Sequence, residues 1–132
     1  MPQQKRPAEA TPSEELAHEI AELALSKKAD NIQILDVREQ TTITDFFLIC
    51  AGSTDVHVKA IHDAILDGMA SVDKPWHVEG MQSLRWVLID FVHVVVHIFQ
   101  QEARDFYQLE RLWADATLEI IGDSHAEASA EE

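Results

Sequence analysis

Seven histidines are the residues of this chain that could bind a metal ion, but their spacing argues against it. On one strand, His93 and His97 would share a face yet lie about 13 Å apart, whereas zinc–nitrogen distances are about 2.1 Å. On a predicted helix, His57 and His62 would point about 140° apart. We therefore expect no metal and no other cofactor, and we expect a structural hydrogen bond for a partly buried His97.

Gly52-Ser53 stands between a short apolar strand and a helix beginning at Thr54-Asp55, the arrangement that opens a nucleotidyltransferase-type site. Backbone N–H groups at such a helix start can hold phosphates. Catalysis would also need two carboxylates one residue apart on a later strand to hold magnesium, and Asp90 stands alone there. The sequence predicts no enzymatic activity. The alternative is a nucleotidyltransferase-like enzyme that uses Gly52-Ser53 and Asp90.

Cys50 is the single cysteine of the chain, so it cannot form an intrachain disulfide. It lies in an apolar run without a motif that would activate it, and we interpret it as a small buried hydrophobe. No apolar run reaches the roughly 18 residues of a membrane span, and residues 1–13 lack the apolar segment of a secretory signal. These features predict a soluble cytoplasmic protein that does not enter a membrane.

Acidic side chains dominate the charge of the chain, which is formally −14. The excess is not confined to the ends, because residues 13–122 keep 19 of the 24 acidic and 8 of the 10 basic side chains, a net −11. Such a surface disfavours direct binding to DNA or to an anionic membrane, and a basic protein is the better electrostatic match. The alternative interpretation is that the charge only keeps the protein soluble.

The stretch 85–113 contains the elements that must position these groups. Residues 86–99 are almost continuously apolar and rich in Val and Ile, which is typical of strands covered on both faces. A single strand of that length is unusual, so we predict a break at 91–93. From Gln100 to near Ala116 apolar residues recur three and four positions apart, which predicts a helix with one apolar stripe facing the core. That stripe contains Phe106, Leu109, Trp113 and Ala116.

The remaining elements follow from capping signals and from apolar spacing. Thr11 as N-cap, Pro12 and Glu14 predict a helix ending near Lys27-Lys28, with Leu16, Ile20, Leu23 and Ala24 facing inward. Strands are predicted at 32–37 and 46–51, and a short edge strand at 76–79. Between the last two we predict a helix whose inward residues are Val58, Ile61, Ile65, Met69 and Val72. One domain over 11–122 is expected, between disordered ends at 1–10 and 123–132.

Six segments in this order resemble the ribosomal silencing factor family, the Iojap-like proteins. They are ILDV at 34–37, TITDFFLICAGST at 42–54 followed by His57-Val58, VEG at 78–80, WVLID at 86–90, VVVHIF at 94–99 and R-x-x-Y-x-L-E-x-L-W at 104–113. Together the segments cover about 30 to 113, nearly the whole predicted domain.

This resemblance implies an α/β (α+β) fold in which a mixed β-sheet of about five strands is flanked by helices, nucleotidyltransferase-like without a complete active site. It also implies binding to the large ribosomal subunit through its ribosomal protein number fourteen, on the joining face. There the protein would sterically block association with the small subunit and repress translation under nutrient limitation. A homodimer of the free protein is a further possibility that the sequence leaves open.

The matched segments contain four residues that we expect to line one partner-binding face: Glu79, Trp86, Asp90 and His97. Three residues of the last motif could instead anchor the last helix to the sheet: Tyr107, Glu110 and Trp113. Tyr and Trp combine a large apolar ring with a polar O–H or N–H group and occur both in cores and at interfaces. Their presence alone therefore does not decide between these roles.

The chain departs from the family pattern at two places that bear on function. Val92-His93 stands where the family usually has Gly-Asp in the hairpin after WVLID, which removes the turn signal. Val56 stands where an Arg commonly precedes the His of the helix start. If that Arg contacts the partner, its replacement by Val56 lowers affinity; if it only solvates the surface, little changes.

Overall fold

The computed structural model of this chain describes residues 11–122. Its elements follow in the order α1 (Pro12–Ser26), β1 (Asp30–Asp36), β2 (Phe46–Gly52), α2 (Asp55–Met69), β3 (His77–Glu79), β4 (Trp86–Asp90), β5 (Val94–Gln100), α3 (Gln101–Tyr107), α4 (Leu109–Leu112) and β6 (Thr117–Ile121). The two ends that the sequence predicts as disordered, 1–10 and 123–132, lie outside the described residues.

Six strands form one mixed sheet in the order β3-β4-β5-β2-β1-β6. The central pair β2 and β5 is parallel, and the other neighbouring strands are antiparallel. The α+β class with a mixed sheet is confirmed, with one strand more than the roughly five expected. The additional strand is β6, whose Leu118 and Ile120 are about half exposed, so its apolar pattern does not mark it as a buried strand.

Helix α1 begins where the sequence places it. The Thr11 side chain accepts a hydrogen bond from the backbone N–H of Glu14, and the Glu14 side chain accepts one from the N–H of Thr11. This reciprocal pair satisfies two of the N–H groups that a helix start leaves without partners. The helix ends at its C-cap, Lys27, in agreement with the predicted end.

Helices α1 and α2 cover one face of the sheet, which we call the covered face. The fully buried residues of α2 are Val58, Ile61, Ile65 and Met69. Helix α1 buries Ala17, Ile20, Ala21 and Ala24, with Leu16 and Leu23 partly buried. Small alanines bring α1 close to the sheet; the expected stripe included Ala24 but not Ala17 and Ala21. The inward position predicted for Val72 is wrong: it follows the end of α2 and is 53% exposed.

Helices α3 and α4 pack on the other face of the sheet, which we call the aromatic face. The buried residues there are Leu35, Val37, Ile49, Phe99 and Ala103, with Phe47, Trp86, Leu109, Trp113 and Ala116 packed against them. This second cluster is smaller than the one under α1 and α2. The sheet is therefore fully covered on one side and only partly covered on the other.

A single helix from Gln100 to Ala116 is a wrong prediction, because Gln108 interrupts it in the left-handed conformation with φ of 48°. The break turns the chain, so Phe106 is 77% exposed instead of inward, while Leu109, Trp113 and Ala116 do pack on the sheet. Residues spaced three and four apart lie on one face only while the helix is continuous.

The buried Arg104 ties the interrupted segment to the sheet. Its guanidinium Nε donates to Glu110 Oε2 at 3.1 Å, and its Nη1 donates to the backbone carbonyl of Asn31 at 2.7 Å. Trp113 packs against Phe47 with ring centroids 5.1 Å apart. Glu110 and Trp113 thus occupy anchoring positions, one by an ion pair and the other by aromatic contact.

The turn between β4 and β5 lies at 91–93, as the sequence predicts, despite the absence of a turn residue. Val92 has φ of 77°, and the N–H of His93 donates to the carbonyl of Phe91 at 2.9 Å. This three-residue γ-turn is strained for a β-branched side chain. Asp90 Oδ1 accepts a hydrogen bond from the N–H of Val92 at 2.7 Å, which helps to hold the turn.

Across residues 11–122, no helix has the length and apolar character needed to cross a membrane.

Candidate functional site

The strand register places the four predicted site residues on one side of the sheet. Trp86 lies opposite Phe99 and Asp90 opposite Val95, while Leu88 between them lies opposite both His97 and Glu79. Because opposed residues in a ladder share a face, Glu79, Trp86, Asp90 and His97 all belong to the aromatic face. Their common side was expected from the sequence, but their depths differ greatly.

His97 is the buried member of this group, with an exposed fraction of 5%. The indole Nε1–H of Trp86 donates to His97 Nδ1 at 3.0 Å, so Nδ1 acts as the acceptor and the proton of the neutral ring resides on Nε2. Burial lowers the pKa of His97 to about 4. The ring is therefore neutral near pH 7, and its hydrogen bond fixes the orientation of Trp86.

Trp86 is the centre of an aromatic cluster that reaches the surface. Its ring centroid lies 4.8 Å from that of Phe99 and 4.8 Å from that of Tyr107, and those two rings are 6.3 Å apart. Tyr107 is 48% exposed and Phe106 beside it is 77% exposed. The cluster therefore rises from a buried phenylalanine through a partly buried indole to two exposed rings, which suits a contact surface with an apolar centre.

Two carboxylates stand on the strands beyond Trp86. Glu79 is on the edge strand β3, where its carboxylate lies 2.6 Å from His77 Nε2 and its side chain is 65% exposed. Asp90 is partly buried at the end of β4. We call Trp86, His97, Phe106 and Tyr107, together with Glu79 and Asp90, the candidate docking face. It combines an aromatic centre with an acidic rim.

Sequence reasoning missed Phe106 as a member of this face, because it assigned the residue to an inward stripe. The same reasoning gave Tyr107 a possible anchoring role; its ring does pack against Trp86, tilted by 47°, but about half of the residue remains accessible. The missing signal is the left-handed residue Gln108, and glutamine is not a residue type that predicts such a conformation.

The residues proposed for nucleotide chemistry do not form one site. Gly52 lies opposite Gln100 at the end of β5, whereas Asp90 lies opposite Val95, five residues earlier. That separation is roughly 17 Å along the strand. Gly52 also belongs to the covered face, since its register parity in β2 matches that of the buried Leu48 and Cys50. Asp90 belongs to the opposite face.

The helix start after Gly52 is satisfied internally. The backbone N–H of Ser53 donates to His57 Nδ1 at 2.9 Å, and His57 Nε2 lies 2.8 Å from the carbonyl oxygen of Lys27. Since Nδ1 accepts a hydrogen bond from Ser53, the ring proton resides on Nε2, which donates to the carbonyl of Lys27. The Thr54 side chain caps the N–H of His57 at 3.1 Å. His57 thus joins this loop to the end of α1, and the Ser53 amide is not directed at an open phosphate position.

The other candidate chemistry groups are also in structural settings. Burial raises the pKa of the Cys50 thiol to about 12, so it carries no reactive thiolate at neutral pH and packs as a small hydrophobe. Within residues 11–122, no three His, Cys, Asp or Glu side chains come close enough together to hold a metal ion.

By its fold, this chain belongs to the class of α+β domains with a mixed sheet. Helices cover one face of the sheet, and the other, aromatic face is partly open. A crystal structure of a protein from Chromobacterium violaceum has this fold, with a TM-score of 0.75 and 29% sequence identity over 79% of this chain and 88% of that one.

Sequence comparison then gives the family. The family model described as "Ribosomal silencing factor during starvation" matches residues 10–132, and the chain belongs to this family. A ribosomal silencing factor of Bacillus subtilis is 42% identical over 70% of this chain and 79% of its own length. A mouse protein named for mitochondrial assembly of the ribosomal large subunit is 28% identical over 85% of this chain and 50% of its own length.

Proposed function

We propose that this protein is a ribosomal silencing factor that binds the large ribosomal subunit and represses translation by excluding the small subunit. Its dock would be ribosomal protein number fourteen, on the joining face of the large subunit. Family membership supports a silencing role, and the name of the mouse relative supports the large subunit as the site of action. The protein acts where cytoplasmic ribosomes are and turns over no substrate.

The candidate docking face is the observation that carries this proposal. Its centre has the composition of an interface hot spot, with a fixed tryptophan beside exposed Tyr107 and Phe106. Its rim carries Glu79 and Asp90, and the net charge of −11 on residues 13–122 extends the negative potential. A basic ribosomal protein complements both features, because an acidic rim accelerates and orients docking while the aromatic centre supplies affinity.

The size of the domain is the basis of the proposed steric exclusion of the small subunit. A domain of about 112 described residues has a radius of gyration of about 13 Å, so it fills a space that the small subunit needs for close contact. No conformational change or bound nucleotide is required. Repression is then set by the affinity of this protein for the large subunit and by its concentration.

The decisive measurement is sedimentation of separated ribosomal subunits with increasing amounts of the full chain. We expect fewer joined ribosomes, and we expect this protein to sediment with the large subunit. Unchanged joining at saturating protein would contradict steric exclusion. Loss of joining without cosedimentation would contradict the proposed dock.

A matched pair of variants connects the effect to the candidate docking face. Trp86→Ala should weaken binding to the large subunit roughly 30-fold, because a central aromatic residue commonly contributes about 2 kcal/mol. Val72→Ala removes an apolar side chain that is also accessible, at 53% exposure, but lies beyond the end of α2. Equal binding by both variants would exclude the aromatic face as the dock.

We also propose that the free protein can form a homodimer. Edge strand β6 supports this, because among residues 11–122 it pairs with a neighbouring strand on one side only, and Leu118 and Ile120 are half exposed. Light scattering should then show a concentration-dependent mass increase that Ile120→Lys abolishes. A constant monomer mass up to high concentration would contradict it.

A further inference from the structure

The loop that leads into β4 adopts a backbone conformation that its residue types do not favour. It connects β3 to β4 over residues 80–85, and Leu84 in this loop has φ of 59°. This left-handed region is uncommon for residues other than glycine, asparagine and aspartate. Such a conformation persists only where the surrounding structure holds it. The contacts of Leu84 therefore show what fixes the chain two residues before Trp86.

Gln100, the last residue of β5, supplies two hydrogen bonds that hold this loop. Its side-chain Nε2 donates to the carbonyl of Leu84 at 2.9 Å, and its backbone N–H donates to the carbonyl of Arg85 at 2.9 Å. The N–H of Leu84 donates to the carbonyl of Gly80 at 2.9 Å, and the Leu84 side chain packs against the core of the covered face. Gln100 thus ties the end of the loop to the neighbouring strand.

Gly80 confines the same backbone from the other side of β4. A Cβ atom at this position would overlap the backbone oxygen of Trp86 and lie 3.1 Å from the Cα of Val87. The φ of 92° at Gly80 is also one that glycine adopts readily and other residues do not. The backbone of Trp86 therefore lies between this glycine and β5, where Phe99 is its partner in the ladder.

The side chain of Gln100 does not belong to the candidate docking face. Along β5 it alternates with Phe99 and shares its side with Ile98, which is buried in the core of the covered face. Trp86 and Phe99 lie on the opposite, aromatic face. Any contribution of the Gln100 side chain to docking must therefore pass through the loop and Trp86.

We propose that Gln100 is a positioning residue for Trp86, acting through the carbonyl of Leu84. The tether fixes the start of β4, so that the indole N–H of Trp86 is aligned with His97 Nδ1, its acceptor at 3.0 Å. A side chain that is ordered before binding loses less conformational entropy when the partner arrives. The effect on binding rests on the proposed docking role, whereas the effect on the indole does not.

The direct test follows the indole N–H of Trp86 by nuclear magnetic resonance in the isotope-labelled full chain. Gln100→Met keeps the approximate size of the side chain and removes the donor. We expect the Trp86 indole signal to shift and its proton to exchange roughly five-fold faster, as for the loss of one hydrogen bond, while the Trp113 indole is unchanged. Gln101→Met is the matched control, because it breaks a 2.9 Å hydrogen bond from the next residue to Asp105.

A second variant tests whether the tether acts through the conformation of Leu84. Asparagine adopts the left-handed region more readily than leucine, so Leu84→Asn should make the tether less necessary. In a Leu84→Asn background, Gln100→Met should shift the Trp86 indole signal at most half as far as it does in the wild type. If Gln100→Met does not fold, Gln100→Glu takes its place, because an ionised carboxylate cannot donate a hydrogen bond.

Binding to the large ribosomal subunit tests the functional consequence. Gln100→Met should weaken binding roughly five-fold in the wild type and should have no further effect in a Trp86→Ala background, because its influence passes through that indole. Equal losses in both backgrounds would overturn the proposal, and so would unchanged binding by Gln100→Met where Trp86→Ala is impaired.

The indole signal separates this proposal from the docking role. A Trp86 indole that does not move in Gln100→Met, or that moves equally in Gln101→Met, would overturn the positioning role whatever the binding result. If Trp86→Ala binds the large subunit as tightly as the wild type, the proposed dock fails instead, and a shifted indole still supports Gln100 as the residue that positions Trp86.

Discussion

The two faces of the sheet divide into one that the helices close and one that is partly open, which we propose as the contact surface. The covered face is mostly aliphatic, with Phe46 and Phe91 among its buried residues, and α1 and α2 close it. The aromatic face buries fewer residues, contains the neutral His97 and rises to exposed rings. A face that needs only burial tolerates any well-packed aliphatic set, whereas a face that binds must keep large side chains accessible and fixed.

The largest effect that tests this division is expected on the covered face. Ile61→Ala removes a fully buried side chain of α2 and should lower the free energy of unfolding by about 2–5 kcal/mol. Urea denaturation measures this change. The folded fraction should bind the large subunit as the wild type does. A large loss of affinity in folded Ile61→Ala protein would mean that the two faces are not independent.

The pH dependence of stability should come in part from the aromatic face. Since the pKa of His97 is lowered to about 4 in the folded state, its stabilising contribution is complete above the ordinary pKa of about 6.5 and is lost as pH falls towards 4. Between pH 7.5 and pH 5 this titration should lower the free energy of unfolding by about 2 kcal/mol. His97→Gln, which retains an acceptor for Trp86, should show a flatter pH profile in chemical denaturation; identical slopes would contradict the assignment.

A gain in stability is expected at the turn between β4 and β5. Val92→Gly should raise the free energy of unfolding by about 1 kcal/mol, because the positive φ of 77° is strained for valine and readily adopted by glycine. Val92 is 47% exposed, so little core packing is lost. Val92→Asn should fall between the two. Thermal unfolding measures the order, and a destabilised glycine variant would show that the turn is not strained.

The smallest change in stability, within about 0.5 kcal/mol, is expected for Glu79→Lys on the acidic rim. Its side chain is 65% exposed, and charge reversal should slow association with a basic partner. The matched control is Glu22→Lys on the exposed side of α1, beyond the covered face. Binding that falls equally in both variants would indicate net charge rather than a local rim, and unchanged binding by Glu79→Lys would remove Glu79 from the face.

Much of the fold could be read from local signals. The capping pair Thr11 and Glu14, the stripe from Val58 to Met69 and the turn at 91–93 are where the sequence predicts them. Each depends on neighbours within a few residues or on a long apolar pattern. Strand β6 and the interruption at Gln108 were not predicted, because they depend on pairing with β1 and on packing of Trp113, contacts that are distant in sequence.

The candidate docking face divides in the same way. Motif resemblance gave Glu79, Trp86, Asp90 and His97 as a group expected to line one face. The hydrogen bond from Trp86 to His97 and the exposure of Phe106 required the folded chain. A hydrogen bond between residues on adjacent strands is set by register, which residue types alone do not specify.

By itself, the sequence determined the family, the acidic charge, the main helices and strands, and the lack of a second carboxylate beside Asp90. The tertiary structure decided which side of the sheet is open, how deeply each polar group is buried and which groups meet. It separated Gly52 from Asp90 and brought the side chain of Gln100 to the carbonyl of Leu84. The physical reason is that periodicity and capping act within a few residues, whereas burial and pairing arise only when distant segments pack together.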